Sequence, residues 1–89
     1  MKIKENFALR QVAGTWVVLP LGAATLDFNG MITLNESGLM LWNLLEQGST
    51  PEALAVALTE EYEVTYEQAL TDVQEFVEKL NKAGCVDMQ

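Results

Sequence analysis

Proton transfer, thiol attack and metal binding at neutral pH draw on histidine, cysteine and clustered carboxylates, and this sequence supplies few of them. It has no histidine and one cysteine, Cys85. With no imidazole to activate it and Val86 beside it, Cys85 reads as a buried or half-buried filler rather than a nucleophile. A single cysteine cannot form an internal disulfide, and neither a paired-thiolate zinc motif nor a glycine-rich phosphate loop is present. Carboxylates are the remaining acid-base groups. Glu60, Glu61 and Glu63 cluster, but a carboxylate gains a useful pKa only through burial or a close like charge, and this run has the pattern of a solvated helix end. Trp16 and Trp42 have faces that stack flat ligands, yet at strand and helix core positions they read as packing anchors. The expectation is a non-enzymatic protein without cofactor or metal.

Charge excludes a second class. Lys2, Lys4 and Arg10 lie at the start and Lys79 and Lys82 near the end, so Gln11 to Glu78 contain no lysine or arginine. Nucleic-acid binding draws most of its affinity from cations that displace condensed counterions, and a chain of formal charge −8 lacks them through its middle. No nucleic-acid partner is expected. The acidic residues read as solvated helix faces. No apolar run approaches the roughly 18 residues of a membrane span, and no basic start leads into an apolar stretch with a small-residue cleavage site. The expected location is cytoplasmic, away from any membrane.

The elements that position these residues follow from turns, caps and periodicity. At 89 residues the sequence suits one domain, 1–89, without disulfide or metal to support its packing. Phe7 and Leu9, then Val17 and Leu19, alternate as two short strands joined by Ala13-Gly14, which predicts a hairpin. Pro20, Gly22, Ala23 and Ala24 break the second strand, and Asp27-Phe28-Asn29-Gly30 predicts a turn before a third strand, Met31-Ile32-Thr33-Leu34. Asn35 is a preferred N-cap, and Leu39, Leu41, Trp42, Leu44 and Leu45 recur at helical spacing, so a helix runs from about Glu36 to Gln47 and stops at Gly48. Thr50-Pro51 starts a second helix that ends near Glu61. Thr65 and Gln68 form a capping box, after which Ala69, Leu70, Val73, Phe76, Val77 and Leu80 make one stripe down a third helix ended by Gly84. The predicted fold is α+β: three short antiparallel strands followed by three helices in a winged helix-turn-helix-like arrangement.

One order of residues carries a resemblance. Phe7-Ala8-Leu9-Arg10, Trp16-Val17-Val18-Leu19-Pro20, Ile32-Thr33-Leu34-Asn35-Glu36-Ser37-Gly38, Trp42 and Asp72-Val73-Gln74-Glu75-Phe76-Val77-Glu78-Lys79-Leu80 with Ala83-Gly84 are similar to the PqqD family. These are small proteins of pyrroloquinoline quinone biosynthesis and related peptide-modification pathways. The resemblance spans almost the whole sequence and lies in order and spacing rather than in one motif. It implies a peptide chaperone that recognises the leader of a ribosomally made precursor peptide by strand addition. It also implies presentation of that peptide to a modifying enzyme, commonly a radical S-adenosylmethionine (radical SAM) protein.

On this sequence the resemblance places the peptide along Met31, Ile32, Thr33 and Leu34, against Asp72, Val73, Phe76, Lys79 and Leu80 of the third helix. An open sheet edge offers unpaired amides and carbonyls to such a chain, and pockets for alternate side chains give specificity. Side chains alternate along the strand, so Met31 and Thr33 share one face and Ile32 and Leu34 the other; the outward amide falls to Ile32 or Thr33. Scarce cations favour a neutral, basic or mainly apolar leader. The same edge can pair with a second copy, which makes a homodimer another expected state. Two other readings remain: a winged-helix transcription regulator, opposed by the charge, and a scaffolding subunit that docks a larger enzyme.

Overall fold

The computed structural model describes residues 1–22 and 32–87. Its order is β1 (Lys2–Ile3), β2 (Phe7–Val12), β3 (Thr15–Pro20), β4 (Ile32–Leu34), α1 (Glu36–Gln47), α2 (Pro51–Glu61), α3 (Tyr66–Lys82) and β5 (Val86–Asp87). The α+β expectation holds, with a three-stranded antiparallel sheet in the order β2-β3-β4 followed by three helices. Met31, the turn expected at Asp27-Phe28-Asn29-Gly30 and the small residues Ala23 and Ala24 lie outside the described residues.

The hairpin forms because Ala13 and Gly14 both take positive φ, 52° and 82°. This is the primed turn whose twist matches the flanking strands, and it sets Val12 opposite Thr15. At the other side of the sheet, β3 pairs β4 with Trp16 opposite Leu34, Val17 opposite Thr33 and Val18 opposite Ile32. Ile32 and Leu34 turn inward and are buried, while Thr33 is exposed. Period-two alternation on one covered face produces this pattern.

Each helix begins as its cap residue dictates. Asn35 accepts from the Gly38 amide at 2.8 Å, Thr50 from Ala53 at 3.1 Å and Thr65 from Gln68 at 3.2 Å. The expected capping box is only half formed. The Gln68 side chain turns along the helix instead and donates to Asp72 Oδ1 at 2.9 Å. At the far end of α3, Gly84 at φ 76° lets its amide reach Asn81 O at 3.0 Å and lets Cys85 N reach Leu80 O at 2.9 Å. These two bonds make a Schellman stop, which reverses the chain.

That reversal delivers β5 to β1, a two-stranded pairing absent from the sequence expectation. The Lys4 amide extends it by donating to Cys85 O at 2.8 Å. The core lies between the inner face of β3-β4 and the three helices, with Val18, Leu45, Leu54, Val73, Leu80 and Cys85 fully buried. Trp42, 1% exposed, packs in it as a packing anchor, and its Nε1 has no hydrogen-bond partner among the described residues. Among the described residues no helix is long and apolar enough to cross a membrane.

Candidate functional site

Backbone parity decides which amides of β4 are free. The two-residue turn makes Val12 and Thr15 a hydrogen-bonded pair, and hydrogen-bonded and non-hydrogen-bonded pairs then alternate along the ladder. Arg10 and Val17 therefore exchange bonds, which leaves the polar groups of Trp16 and Val18 for β4. They pair with Leu34 and Ile32, and the Thr33 N–H and C=O point away from the sheet. Of the two candidate residues, Thr33 thus carries the outward amide, while that of Ile32 belongs to the ladder. Asn35 has the same parity as Thr33 and is still extended, at φ −83° and ψ −175°. Among the described residues β4 has no neighbour on this outer side.

Beside this edge lies an open cleft with a volume of about 470 Å³. Thr33, Leu34 and Asn35 supply its strand side; Ser37, Gly38 and Leu41 of α1, Leu58 of α2, Tyr62 and Val64 of the connecting turn, and Asp72, Phe76 and Lys79 of α3 complete it. Five of the residues expected from the sequence, Thr33, Leu34, Asp72, Phe76 and Lys79, meet here. Ile32, Val73 and Leu80 face the core instead, at 6%, 0% and 0% exposure, and Met31 is outside the described residues.

Helical geometry separates the two groups on α3. Ala69, Val73, Val77 and Leu80 are the buried stripe. Asp72, Phe76 and Lys79 follow the same spacing one position earlier, about 100° around the axis at 3.6 residues per turn, and so border the core rather than enter it. Phe76 reaches the cleft because α1 begins with a small residue at the crossing. A Cβ on Gly38 would stand 3.5 Å from Phe76 Cε1 and Leu34 Cδ2 and 3.2 Å from the Asn35 Oδ1 that caps the helix.

Leu41 of α1, Leu58 of α2 and Tyr62 and Val64 of the connecting turn are not among the site residues expected from the sequence. Their sequence signal was a glycine three residues after the N-cap and an aromatic residue at a helix end, where Tyr62 is 39% exposed. The cleft therefore has an apolar part built from these residues and Phe76, with Asp72 and Lys79 also on its rim. This suits an extended chain that offers apolar side chains and main-chain polar groups. Cys85 lies fully buried, and burial pushes its thiol up to about 11, with Lys4 acting in the opposite direction. Among the described residues no group of three or more histidine, cysteine, aspartate or glutamate side chains could hold a metal ion.

Two solved structures resemble this one closely. TbiB1 in complex with the TbiA(beta) leader peptide superposes with a TM-score of 0.79 at 25% identity, over 100% of this chain and 98% of that one. Lasso peptide synthetase B1 complexed with the leader peptide superposes with a TM-score of 0.75, also at 25% identity, over 94% of this chain and 93% of that one. No curated protein matches this sequence. The family model of coenzyme PQQ synthesis protein D matches residues 15–86, from the second strand of the hairpin to the start of β5, and so takes in both walls of the cleft. The chain belongs to the PqqD family.

Proposed function

We propose that this protein is a leader-peptide recognition element: it binds the leader of a ribosomally made precursor by strand addition to β4 and presents the remainder to a modifying enzyme. The observation that carries the reading is the outward N–H and C=O of Thr33 at the edge of a cleft walled by α3. The leader-peptide complexes of the two similar structures support it. The resemblance to PqqD favours a radical SAM enzyme as partner, and a cytoplasmic setting suits one. In this role residues 1–89 act as a single domain.

Catalysis is assigned to the partner. The sequence has no histidine, and the thiol of its one cysteine is buried and protonated at neutral pH. A transcriptional role is disfavoured because Lys79 is the first cation on α3 and only Lys82 follows it there.

The test is a calorimetric titration with synthetic leader peptides of ribosomally made precursors, the TbiA(beta) leader among them. Thr33→Pro removes the outward donor, and Thr33→Val keeps it with the same side-chain shape. Loss of one such bond costs about 1 kcal/mol, roughly fivefold in affinity, before the proline ring obstructs the incoming strand. The proline variant should bind at least that much more weakly while circular dichroism shows an intact fold, and the valine variant should match the native protein. Equal affinity of the proline variant would refute strand addition at β4.

A further inference from the structure

Strand addition by itself sets register weakly. Main-chain bonds look alike at every second residue, and β4 is only three residues long. A device that fixes register must therefore come from side chains of the cleft, and α3 supplies one. Asp72, Phe76 and Lys79 lie four and then three residues apart on one helix face, so a carboxylate and an ammonium flank an aromatic ring along about 10 Å of axis.

The two charges differ in their present partners. Gln68 donates to Asp72 Oδ1 and leaves Oδ2 free of that bond. Lys79 forms no ion pair among the described residues, whereas Lys82, one turn away, pairs with Glu78 at 3.3 Å. Among the described residues Lys79 is also the one cation lining the cleft, on a chain whose formal charge is −8. A uniformly acidic leader meets that net charge everywhere. A single acidic side chain placed at Lys79 meets its complement.

We infer that the cleft selects a leader segment with an acidic side chain at Lys79, an apolar one over Phe76, and a basic or amide side chain at Asp72. This rests on the leader-binding reading and adds the chemistry and register of the bound segment. An extended chain rises about 3.3 Å per residue with alternate side chains on one face, so an apolar side chain over Phe76 places the acidic and donor positions about four residues apart, one on each side of it. The charges thereby determine which residue of the leader pairs with Thr33, and hence where the rest of the precursor leaves the domain.

The test is selection of short random peptides by display against the native protein, Lys79→Glu, and the double variant Asp72→Lys with Lys79→Glu. All the substituted positions are exposed, so circular dichroism should report unchanged folding. The native protein should enrich peptides with an acidic residue about four positions from a basic or amide residue and an apolar residue midway, and the double variant should invert the order of the charges. The best native peptide should lose about three- to tenfold in affinity on Lys79→Glu at low salt, because a pair worth up to about 1 kcal/mol becomes a repulsion. Enriched peptides that protect β4 amides from hydrogen exchange but carry no charge pattern, or that ignore the reversals, would overturn the inference and leave strand addition standing. Peptides that protect other surfaces, or no enrichment at all, would overturn both.

Discussion

Trp42 combines deep burial with an unsatisfied donor, and two substitutions at that position separate the contributions. The side chain is 1% exposed in the core, and its Nε1 has no partner among the described residues. Truncation to alanine removes the whole indole and leaves a cavity, at a cost of about 3–5 kcal/mol. A domain of this size has only about 4–13 kcal/mol of stability in total, so Trp42→Ala should unfold at far lower urea and be partly unfolded at 37 °C. Trp42→Phe differs in kind. It gives up about two buried carbons, worth roughly 1.5–2 kcal/mol with some cavity besides, but it also removes a buried donor whose lack of a partner costs about 1–3 kcal/mol. The two effects nearly cancel, so Trp42→Phe should lie within about 1 kcal/mol of the native protein. Urea unfolding followed by circular dichroism, with equal slopes for all three proteins, reads both values. A phenylalanine variant as unstable as the alanine variant would show that Nε1 is hydrogen-bonded in solution. An alanine variant within about 1 kcal/mol of native would show that Trp42 is not a core residue.

Two further outcomes concern the strand-helix corner and the thiol. Asn35→Ala deletes the acceptor of the Gly38 amide and of Ser37 Oγ, at 2.8 and 3.0 Å, and should cost about 1 kcal/mol, or about 4–8 °C in Tm by calorimetry. Asn35→Asp keeps the acceptor and should be close to native; equal losses for both variants would contradict the capping role. Cys85 titrates near 11 when folded against a reference value of 9.0, so its contribution is intact below pH 9 and is lost as pH rises toward 11. Urea melts at pH 7 and 10 should show a larger loss for the native protein than for Cys85→Ala, by on the order of 1 kcal/mol, and parallel losses would refute this.

The helices were legible because their ends carry chemistry that acts locally. Asn35, Thr50-Pro51 and Thr65 cap from within one turn, and Gly48 and Gly84 stop helices by adopting φ values of 95° and 76°. The hairpin was legible from Gly14, although the turn also places Ala13 at positive φ, where asparagine or glycine would be expected. The β1-β5 pairing was not legible, since two residues per strand show no periodicity and their contact depends on the reversal after Gly84. The cleft was half legible. A stripe at helical spacing holds both its buried centre and its border, so Val73 and Leu80 could not be told from Phe76 without the packing of α1. Leu58, Tyr62 and Val64 enter the cleft only because α2 and α3 fold back on each other, a long-range result that spacing does not encode.

Amide hydrogen exchange resolved to single residues reads strand addition at the β4 edge without altering a residue there. Ile32 and Leu34 are already paired with Val18 and Trp16, so their amides should exchange slowly with or without the synthetic leader. Thr33, and Asn35 with it, should exchange quickly in the free protein and become strongly protected in the complex, while the exposed face of α2 stays unchanged. Protection confined to α2, with Thr33 exchanging at its free rate in a saturated complex, would contradict strand addition and reduce the cleft to a docking surface.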